Sequence, residues 1–155
     1  LGGEEGKFQA LMETLIAARI SHAIKSVGLA TAAFEYALAY SKEREAFGRS
    51  INKFQAISFK LSQMAVKIET ARLLGYKAAW LYDQGKPCVK EASMAKLYSA
   101  EIVQWCASEG IQVLGGYGYA TEYEAERFYR DAKLSSLTEG TSEIQHVLSA
   151  KELGI

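Results

Sequence analysis

Apolar residues recur at intervals of three and four along most of the chain, which is the spacing of one buried face of an α-helix. The pattern predicts long helices over residues 17–42, 53–83 and 89–113. Shorter helices are predicted over residues 8–16, 122–131 and 141–153. No segment alternates with the period of two expected of a half-buried strand. We therefore predict an all-α fold, an up-and-down four-helix bundle of long helices with short additional helices.

Each long helix is predicted to turn one apolar face toward the others. These faces comprise Ile20, Ile24, Val27, Phe34 and Leu38 in the first, Ile57, Leu61, Met64 and Ile68 in the second, and Met94, Leu97, Ile102 and Trp105 in the third. The connections are marked by Gly48 with Ser50, by Gly85-Lys86-Pro87, and by Gly115-Gly116, because glycine favours turns and helix ends. Residues 1–6, with three glycines, are predicted to form a flexible lead-in.

The composition is that of an ordinary globular domain. A chain of 155 residues, 49% of them hydrophobic, can bury a real core, so residues 1–155 are predicted to form one domain. The single proline, Pro87, agrees with long helices and few turns. The 18 Lys and Arg residues balance the 18 Asp and Glu residues, so no net charge indicates a nucleic-acid partner. Because the chain begins at Leu1, it is predicted to be a piece of a longer or processed protein.

The two cysteines and the hydropathy suggest a compartment. Cys88 and Cys106 lie in unrelated contexts without metal-ligand spacing, and are predicted to be free thiols in a reducing compartment. No apolar run reaches the ~18 residues that a membrane-spanning helix needs. The predicted location is the cytoplasm for a bacterial or archaeal source, or the mitochondrial matrix for a eukaryotic one.

The first candidate for chemistry is a carboxylate that no helical face requires. Glu139 lies on a short connection directly before Gly140, and Thr141-Ser142-Glu143 can begin the last helix through the threonine hydroxyl. A glutamate beside the donor-rich start of a helix can act as a base next to a polar ligand. The alternative is that Thr141 caps a helix and Glu139 is a solvated loop residue.

Two further segments have the composition of a ligand site. Arg44 precedes Phe47-Gly48, where a guanidinium can bind a phosphate while the ring packs on a flat heterocycle. Gly115-Gly116 follows Gln112 and lets the backbone approach a ligand closely. The alternatives are a charged helix end and an ordinary glycine stop. Arg19, inside an apolar segment, either pairs with a carboxylate or fixes the Glu139 connection.

A metal site is not predicted. Glu143 and His146 have the Glu-x-x-His spacing of di-iron bundles, but that motif occurs once, and the only other histidine, His22, lacks a preceding glutamate at that spacing.

Taken together and in this order, five segments resemble the C-terminal helical domain of the acyl-CoA dehydrogenase flavoprotein family. They are Ala18-Arg19-Ile20, Arg44-Glu45-Ala46-Phe47-Gly48 with Phe54-Gln55-Ala56, Gln112-Val113-Leu114-Gly115-Gly116-Tyr117-Gly118-Tyr119, Arg130-Asp131-Ala132-Lys133, and Glu139-Gly140-Thr141-Ser142-Glu143-Ile144-Gln145. The family's N-terminal helical domain and middle β-domain have no counterpart in this chain.

The resemblance implies an enzyme that dehydrogenates an acyl-CoA thioester between Cα and Cβ with FAD. It assigns Glu139 as the base that removes the α-proton, since Ala18 stands where other members carry that base. It implies that Arg19 and Gly140 lie at the thioester end of the substrate. The residues implied to contact FAD are Arg44, Phe47, Gln55, Gln112, Gly115 and Gly116 for a neighbouring subunit's FAD, and Thr141 and Glu143 for the subunit's own.

The resemblance also implies a homotetramer or dimer, an electron-transfer flavoprotein as electron acceptor, and an inactive domain when isolated. Thr138 stands where many members carry Tyr or Phe, which leaves the acyl preference open. The alternatives are a non-catalytic helical assembly module and a relative that passes its electrons to oxygen.

Overall fold

The computed structural model describes residues 6–155, with side chains described from residue 10 onward. The lead-in predicted over residues 1–6 lies outside the described residues except for Gly6, which begins the first helix. The elements are α1 (Gly6–Glu43), β1 (Glu45–Ala46), β2 (Arg49–Ser50), a 3₁₀ turn (Ile51–Lys53), α2 (Gln55–Asp83), α3 (Val89–Leu114), α4 (Gly116–Tyr119), α5 (Glu124–Leu134) and α6 (Ser142–Leu153). The predicted all-α class is confirmed.

Two details of the predicted elements are wrong. The separate helices predicted over residues 8–16 and 17–42 are one helix, the 38-residue α1. Neither Gly nor Pro lies between residues 7 and 27, so nothing interrupts the backbone there. The connection after α1 contains a two-stranded antiparallel hairpin, in which Ala46 pairs with Arg49. Strands of two residues are too short to show a period of two.

The three long helices run up, down and up. α1 and α2 are antiparallel, and Arg72 Nη2 of α2 donates to Thr31 Oγ1 of α1 at 3.4 Å. α2 and α3 are also antiparallel, since Lys60 pairs with Glu109 at one end and Lys77 lies 3.9 Å from Glu91 at the other. α1 and α3 therefore run in the same direction. α5 and α6 both pack against α3 and complete the bundle.

The core is unusually rich in alanine, which allows the helices to approach closely. Twelve buried alanines lie in the described helices, namely Ala23, Ala30, Ala33, Ala37, Ala71, Ala78, Ala92, Ala95, Ala100, Ala107, Ala125 and Ala132. The predicted inward face of α2 is confirmed for Leu61, Met64 and Ile68, while Ile57 is half-buried. A helix long enough and apolar enough to cross a membrane does not occur among residues 6–155.

The inward face of α3 was predicted only in part. Ile102 is buried, but Met94, Leu97 and Trp105 are only partly buried. Most other buried residues of α3 are small or polar, and they include Ala92, Ser93, Ala95, Lys96, Ser99, Ala100 and Cys106. Met94, Leu97 and Trp105 lie at the side of this buried face, and α3 itself lies at the centre of the bundle with neighbours on several sides.

Candidate functional site

The predicted site residues form two groups at opposite ends of the bundle. Arg19 lies in the first half of α1 and Arg44 lies directly after its end, 25 residues further along the chain. At 1.5 Å per helical residue, this separation is about 37 Å. We refer to the group around Arg19 and Glu139 as the glutamate site, and to the group around Arg44 and Gly115 as the arginine cleft.

Glu139 lies on a left-handed turn between α5 and α6. Its φ is 56° and that of Gly140 is 90°, so two consecutive residues have positive φ. Such a φ is uncommon for a residue with a side chain. The backbone N–H of Ser142 donates to the Ser136 carbonyl at 3.2 Å and closes the turn. The Glu139 side chain is exposed, which leaves its carboxylate free to meet a ligand.

Buried polar residues lie beneath this turn. Gln145 of α6 is fully buried, and its Nε2 donates to the carbonyls of Glu139 at 3.3 Å and Gly140 at 3.0 Å. Lys96 of α3 is also fully buried, and its Nζ donates to the Gly140 carbonyl at 2.6 Å. Two side chains from different helices therefore bind the same carbonyl oxygen.

Arg19 supplies a second buried cation at the glutamate site. Only 3% of Arg19 is exposed, and its Nε and Nη1 have no hydrogen-bond partner among the described residues. Burial lowers the pKa of Arg19, and the nearby charge of Glu139 opposes that shift. The guanidinium therefore has donors available close to the exposed glutamate.

The start of α6 differs from the prediction. Thr141 occupies the N-cap position with extended backbone, but its hydroxyl makes no capping bond to the described backbone. The pKa of Glu143 is lowered by its own backbone N–H and by the Thr141 hydroxyl. The threonine thus supports an exposed carboxylate in the first turn, where the positive end of the helix dipole also favours negative charge.

His22 and Thr138 form a polar wall beside Glu139. His22 Nε2 lies 2.6 Å from Thr138 Oγ1, and Thr138 directly precedes the glutamate. Burial lowers the pKa of His22, and the nearby charges of Lys96 and Lys25 lower it further, against the opposing effect of Glu139. Both side chains are half-buried, so part of each is accessible from solvent next to the turn.

The arginine cleft has a volume of about 460 Å³ and joins α1, α3 and α4. Gly115 ends α3, as predicted, with φ 64° and ψ −136°, a conformation open only to glycine. The Arg44 guanidinium lies over the Tyr117 ring, 5.7 Å from its centre. Gln112, Gly115 and Gly116 also line the cleft and are exposed. Four of the predicted residues are thus brought together.

Phe47 and Gln55 lie beside the cleft rather than in its lining. Phe47 stands at the tip of the hairpin with φ 52° and is 96% exposed. Its ring meets Phe54 edge-on, with ring centres 6.2 Å apart, and the Arg49 guanidinium covers the Phe54 ring. Gln55 begins α2 and is exposed. A ring exposed to this degree suits contact with another molecule.

Metal-ligating groups do not cluster in the described part of the chain. No set of three His, Cys, Asp or Glu side chains is close enough there to hold an ion. Cys88 and Cys106 are buried free thiols, as predicted. Burial raises the pKa of Cys106 to about 12, so its thiol stays protonated at neutral pH and is unreactive as a nucleophile.

Four residues around the two groups were not singled out from the sequence, namely His22 as a wall residue, Lys96, Tyr117 and Gln145. The spacing of Lys96 held a signal, since it falls on the same helical face as Ala92, Ser99 and Val103. A lysine inside such a face is either misplaced or bound by a specific acceptor.

Comparison with known proteins gives consistent matches over nearly the whole chain. The family described as "Acyl-CoA dehydrogenase, C-terminal domain" matches residues 6–154. A probable acyl-CoA dehydrogenase of Bacillus subtilis is 48% identical over 153 residues, which are 99% of this chain and 40% of that protein. A caffeyl-CoA reductase–Etf complex subunit of Acetobacterium woodii is 46% identical over 147 residues, 94% of this chain and 39% of that protein.

A solved structure agrees with these matches. Butyryl-CoA dehydrogenase from Megasphaera elsdenii superimposes with a TM-score of 0.98 at 42% identity, over 100% of this chain and 40% of that one. The chain therefore spans about two fifths of the length of the relatives it matches.

Proposed function

Because the chain belongs to the acyl-CoA dehydrogenase family, we propose that it forms the C-terminal helical domain of an FAD-dependent enzyme. The proposed reaction removes hydrogen from Cα and Cβ of an acyl-CoA thioester. The family's N-terminal helical domain and middle β-domain would then belong to the same enzyme but lie outside these 155 residues. The observation that carries the proposal is the turn at Glu139. Its carboxylate is exposed, Glu139 and Gly140 both have positive φ, and the buried Arg19 lies nearby.

In this proposal Glu139 is the base that takes the α-proton. Its exposed carboxylate can reach a substrate bound on the outer side of the turn, and Arg19 lies behind it with free donors. Bound FAD supplies the acceptor for the hydride that leaves Cβ. Gly140 is needed for the turn that presents Glu139, because its φ is 90° and an added Cβ would lie 2.8 Å from Gln145 Nε2 beneath the turn. The family's other domains would cover the site and exclude water from the base.

The chemistry of the arginine cleft fits FAD. Arg44 makes no ion pair among the described residues, so its guanidinium is free to bind a phosphate. Gln112 and the backbone of Gly115-Gly116 add polar contacts, and a Cβ at either glycine would meet no described atom within 4 Å. That open space would leave room for a pyrophosphate. Phe47 and Gln55 would extend the contact toward the adenine.

The distance between the two groups supports a division of FAD contacts between subunits. One extended dinucleotide cannot reach across the ~37 Å between Arg19 and Arg44. We therefore assign Arg44, Phe47, Gln55, Gln112, Gly115 and Gly116 to a neighbouring subunit's FAD. Thr141 and Glu143, which lie beside Glu139, are assigned to the subunit's own FAD.

An apolar stripe on α2 supports assembly into a homotetramer or dimer. Phe59, Val66, Leu73 and Trp80 are spaced by seven residues, and each is more than half exposed. They lie opposite the buried face formed by Leu61, Met64 and Ile68. A stripe of this length on one helix face indicates an interface. The proposed occupant is a second copy of the chain, as the division of FAD contacts requires.

Replacing Leu73 with Glu is expected to break this assembly. A charge in the centre of an apolar interface weakens association by at least ~30-fold, the equivalent of about 2 kcal/mol. The measurement is the mass of the natural gene product by sedimentation. Val147→Glu is the control, since Val147 is equally exposed but lies on α6. An unchanged mass for Leu73→Glu would contradict an interface on α2.

The proposed electron acceptor is an electron-transfer flavoprotein, and the proposed location is a reducing compartment: the cytoplasm of a bacterium or archaeon, or the mitochondrial matrix. Two buried free thiols support the compartment.

An oxidase that uses oxygen is one alternative. A non-catalytic assembly module is another, but a scaffold has no need for a glutamate at positive φ.

The visible spectrum of the protein as its natural gene encodes it tests the function. We expect a chain more than twice as long as 155 residues, yellow from FAD and bleached by an acyl-CoA. Oxygen consumption during turnover would identify an oxidase instead. A colourless protein of about this length that FAD cannot turn yellow would favour the assembly module. The 155-residue chain alone is the control and is expected to be inactive, because Glu139 is open to water.

A further inference from the structure

We propose that Lys96 is a positioning residue that holds the Glu139–Gly140 turn in place. Its ammonium group binds the Gly140 carbonyl from below, and this bond fixes the direction in which the Glu139 side chain leaves the bundle. The functional meaning of this role rests on the function proposed above. The structural role can be tested without it.

The burial of Lys96 requires a specific reason. Lys96 has no exposed surface and sits on α3 between Ala92, Ser93, Ala95, Ser99 and Ala100, all buried. Burying an ammonium group costs free energy unless it is bound by suitable acceptors. No carboxylate of the described residues lies within ion-pair distance of it. Its hydrogen bond goes instead to a main-chain oxygen at 2.6 Å, in the turn that carries Glu139.

The turn needs external support because its backbone is strained. Glu139 has φ 56°, a conformation that residues with side chains avoid, and Gly140 follows with φ 90°. The Gly140 carbonyl accepts from Lys96 at 2.6 Å and from Gln145 at 3.0 Å. α3 and α6 thus hold one peptide group from two directions. Fixing that group leaves Glu139 little freedom to return to a relaxed conformation.

Electrostatics favours the same arrangement. Burial lowers the pKa of Lys96, the Arg19 charge lowers it further, and Glu139 and Glu143 act in the opposite direction. Lys96 and Arg19 therefore place positive charge on the buried side of the turn, and this charge attracts the Glu139 carboxylate toward the bundle. Both cations belong to rigid helices, so the position of the charge is fixed.

Lys96 is not a catalytic group itself. It lines none of five well-formed cavities on the described part of the chain. A side chain without exposed surface, enclosed by helix α3 and the turn, cannot touch a substrate. Its effect on the site is transmitted through the Gly140 peptide.

The test is Lys96→Met in the 155-residue chain, followed by hydrogen exchange of residues 137–142. Methionine is unbranched like lysine, only one atom shorter, and fits an apolar core, so the thermal midpoint is expected to stay the same or rise. Exchange in the turn is expected to become ~10- to 100-fold faster, because a bond from a charged donor is lost. The carbon-13 shift of the Gly140 carbonyl is expected to move as well.

Lys60→Met is the matched control. Lys60 is a partly buried lysine that also reaches α3, where it pairs with Glu109, but it lies toward the other end of the bundle. Its loss is expected to leave exchange in residues 137–142 unchanged. Equal exchange in Lys96→Met and the parent chain would overturn the proposal, as would an equal acceleration in both variants.

A measurement on the unaltered chain covers the case in which Lys96→Met fails to fold. Scalar coupling across the hydrogen bond from Lys96 Nζ to the Gly140 carbonyl carbon is detectable by NMR. Its presence supports the bond, and its absence in a spectrum that shows the neighbouring backbone couplings would overturn the proposal.

The catalytic consequence is measured separately in the complete enzyme. Lys96→Met is expected to lower kcat by ~10- to 100-fold with little change in KM, because a displaced base slows the reaction without weakening binding. If Glu139→Gln leaves activity intact while Lys96→Met loosens the turn, the proposed function fails and the positioning role stands. If Glu139→Gln removes activity while Lys96→Met changes neither kcat nor exchange, the positioning role fails.

Discussion

Replacing Glu139 with Gln is expected to slow the reduction of the bound flavin by an acyl-CoA by a factor of about 10² to 10⁴, the usual contribution of a general base. Glutamine has the size of glutamate and keeps an acceptor oxygen, but it cannot take a proton at neutral pH. The measurement is the bleaching of flavin absorbance after rapid mixing, in the protein as its natural gene encodes it.

The fold is expected to survive this change. Glu139 is exposed, and the turn is held by the backbone carbonyls of Glu139 and Gly140 rather than by the carboxylate. The thermal midpoint should therefore match that of the parent. Glu152→Gln, an exposed carboxylate near the end of α6, is the control and should bleach at the parental rate. Bleaching by Glu139→Gln as fast as by the parent would remove Glu139 from the role of base.

Replacing Gly118 with Ala is expected to produce the largest loss of stability from a single methyl group. The added Cβ would lie 2.7 Å from the Ile111 carbonyl oxygen and 2.9 Å from the Ile111 Cα. Both are backbone atoms in the last turns of α3, so neither can move aside as a flexible side chain would. We expect a loss of about 2–3 kcal/mol and a thermal midpoint lower by about 6–10 °C.

Gly116→Ala is the matched comparison, two residues earlier in the same short helix. A Cβ there would meet no described atom within 4 Å, so the thermal midpoint of the 155-residue chain should change by no more than about 2 °C. The same methyl group points into the space proposed for the pyrophosphate, and FAD binding by the complete enzyme should weaken. Equal midpoints for both variants would contradict the packing of α4 on α3.

The sequence predicted the helices well because each one is a local pattern. The buried line Leu61, Met64 and Ile68 follows directly from helical spacing, and Gly115 ends α3 where its glycine predicts. The sequence predicted a helix end near residue 16 that α1 does not have, and it did not predict the short hairpin at Phe47-Gly48. Each of these features depends on one or two residues, which a helical periodicity cannot detect.

The glutamate site was predicted only in part because its support is not local. The bond from Lys96 to Gly140 joins residues 44 positions apart, and that from His22 to Thr138 joins residues 116 positions apart. Helical spacing says which side of α3 Lys96 occupies, but not which turn will cover it. The resemblance of motifs singled out Glu139 and Arg19 as candidates. The residues that contact their surroundings, Lys96, Gln145 and His22, became apparent only from the packing of α1, α3 and α6.

The uninterrupted length of α1 has a consequence for how the amino-acid sequence of a subunit can evolve. Arg19 lies in the first half of α1 and Arg44 directly after its last residue, so the distance between the two proposed ligand regions is set by the number of helical residues between them. Each residue inserted or lost between them shifts one end by ~1.5 Å and rotates it by about 100° around the axis. Substitutions in the middle of α1 are constrained only by packing. If subunits share a cofactor as proposed, the number of residues between Arg19 and Arg44 must be kept as well.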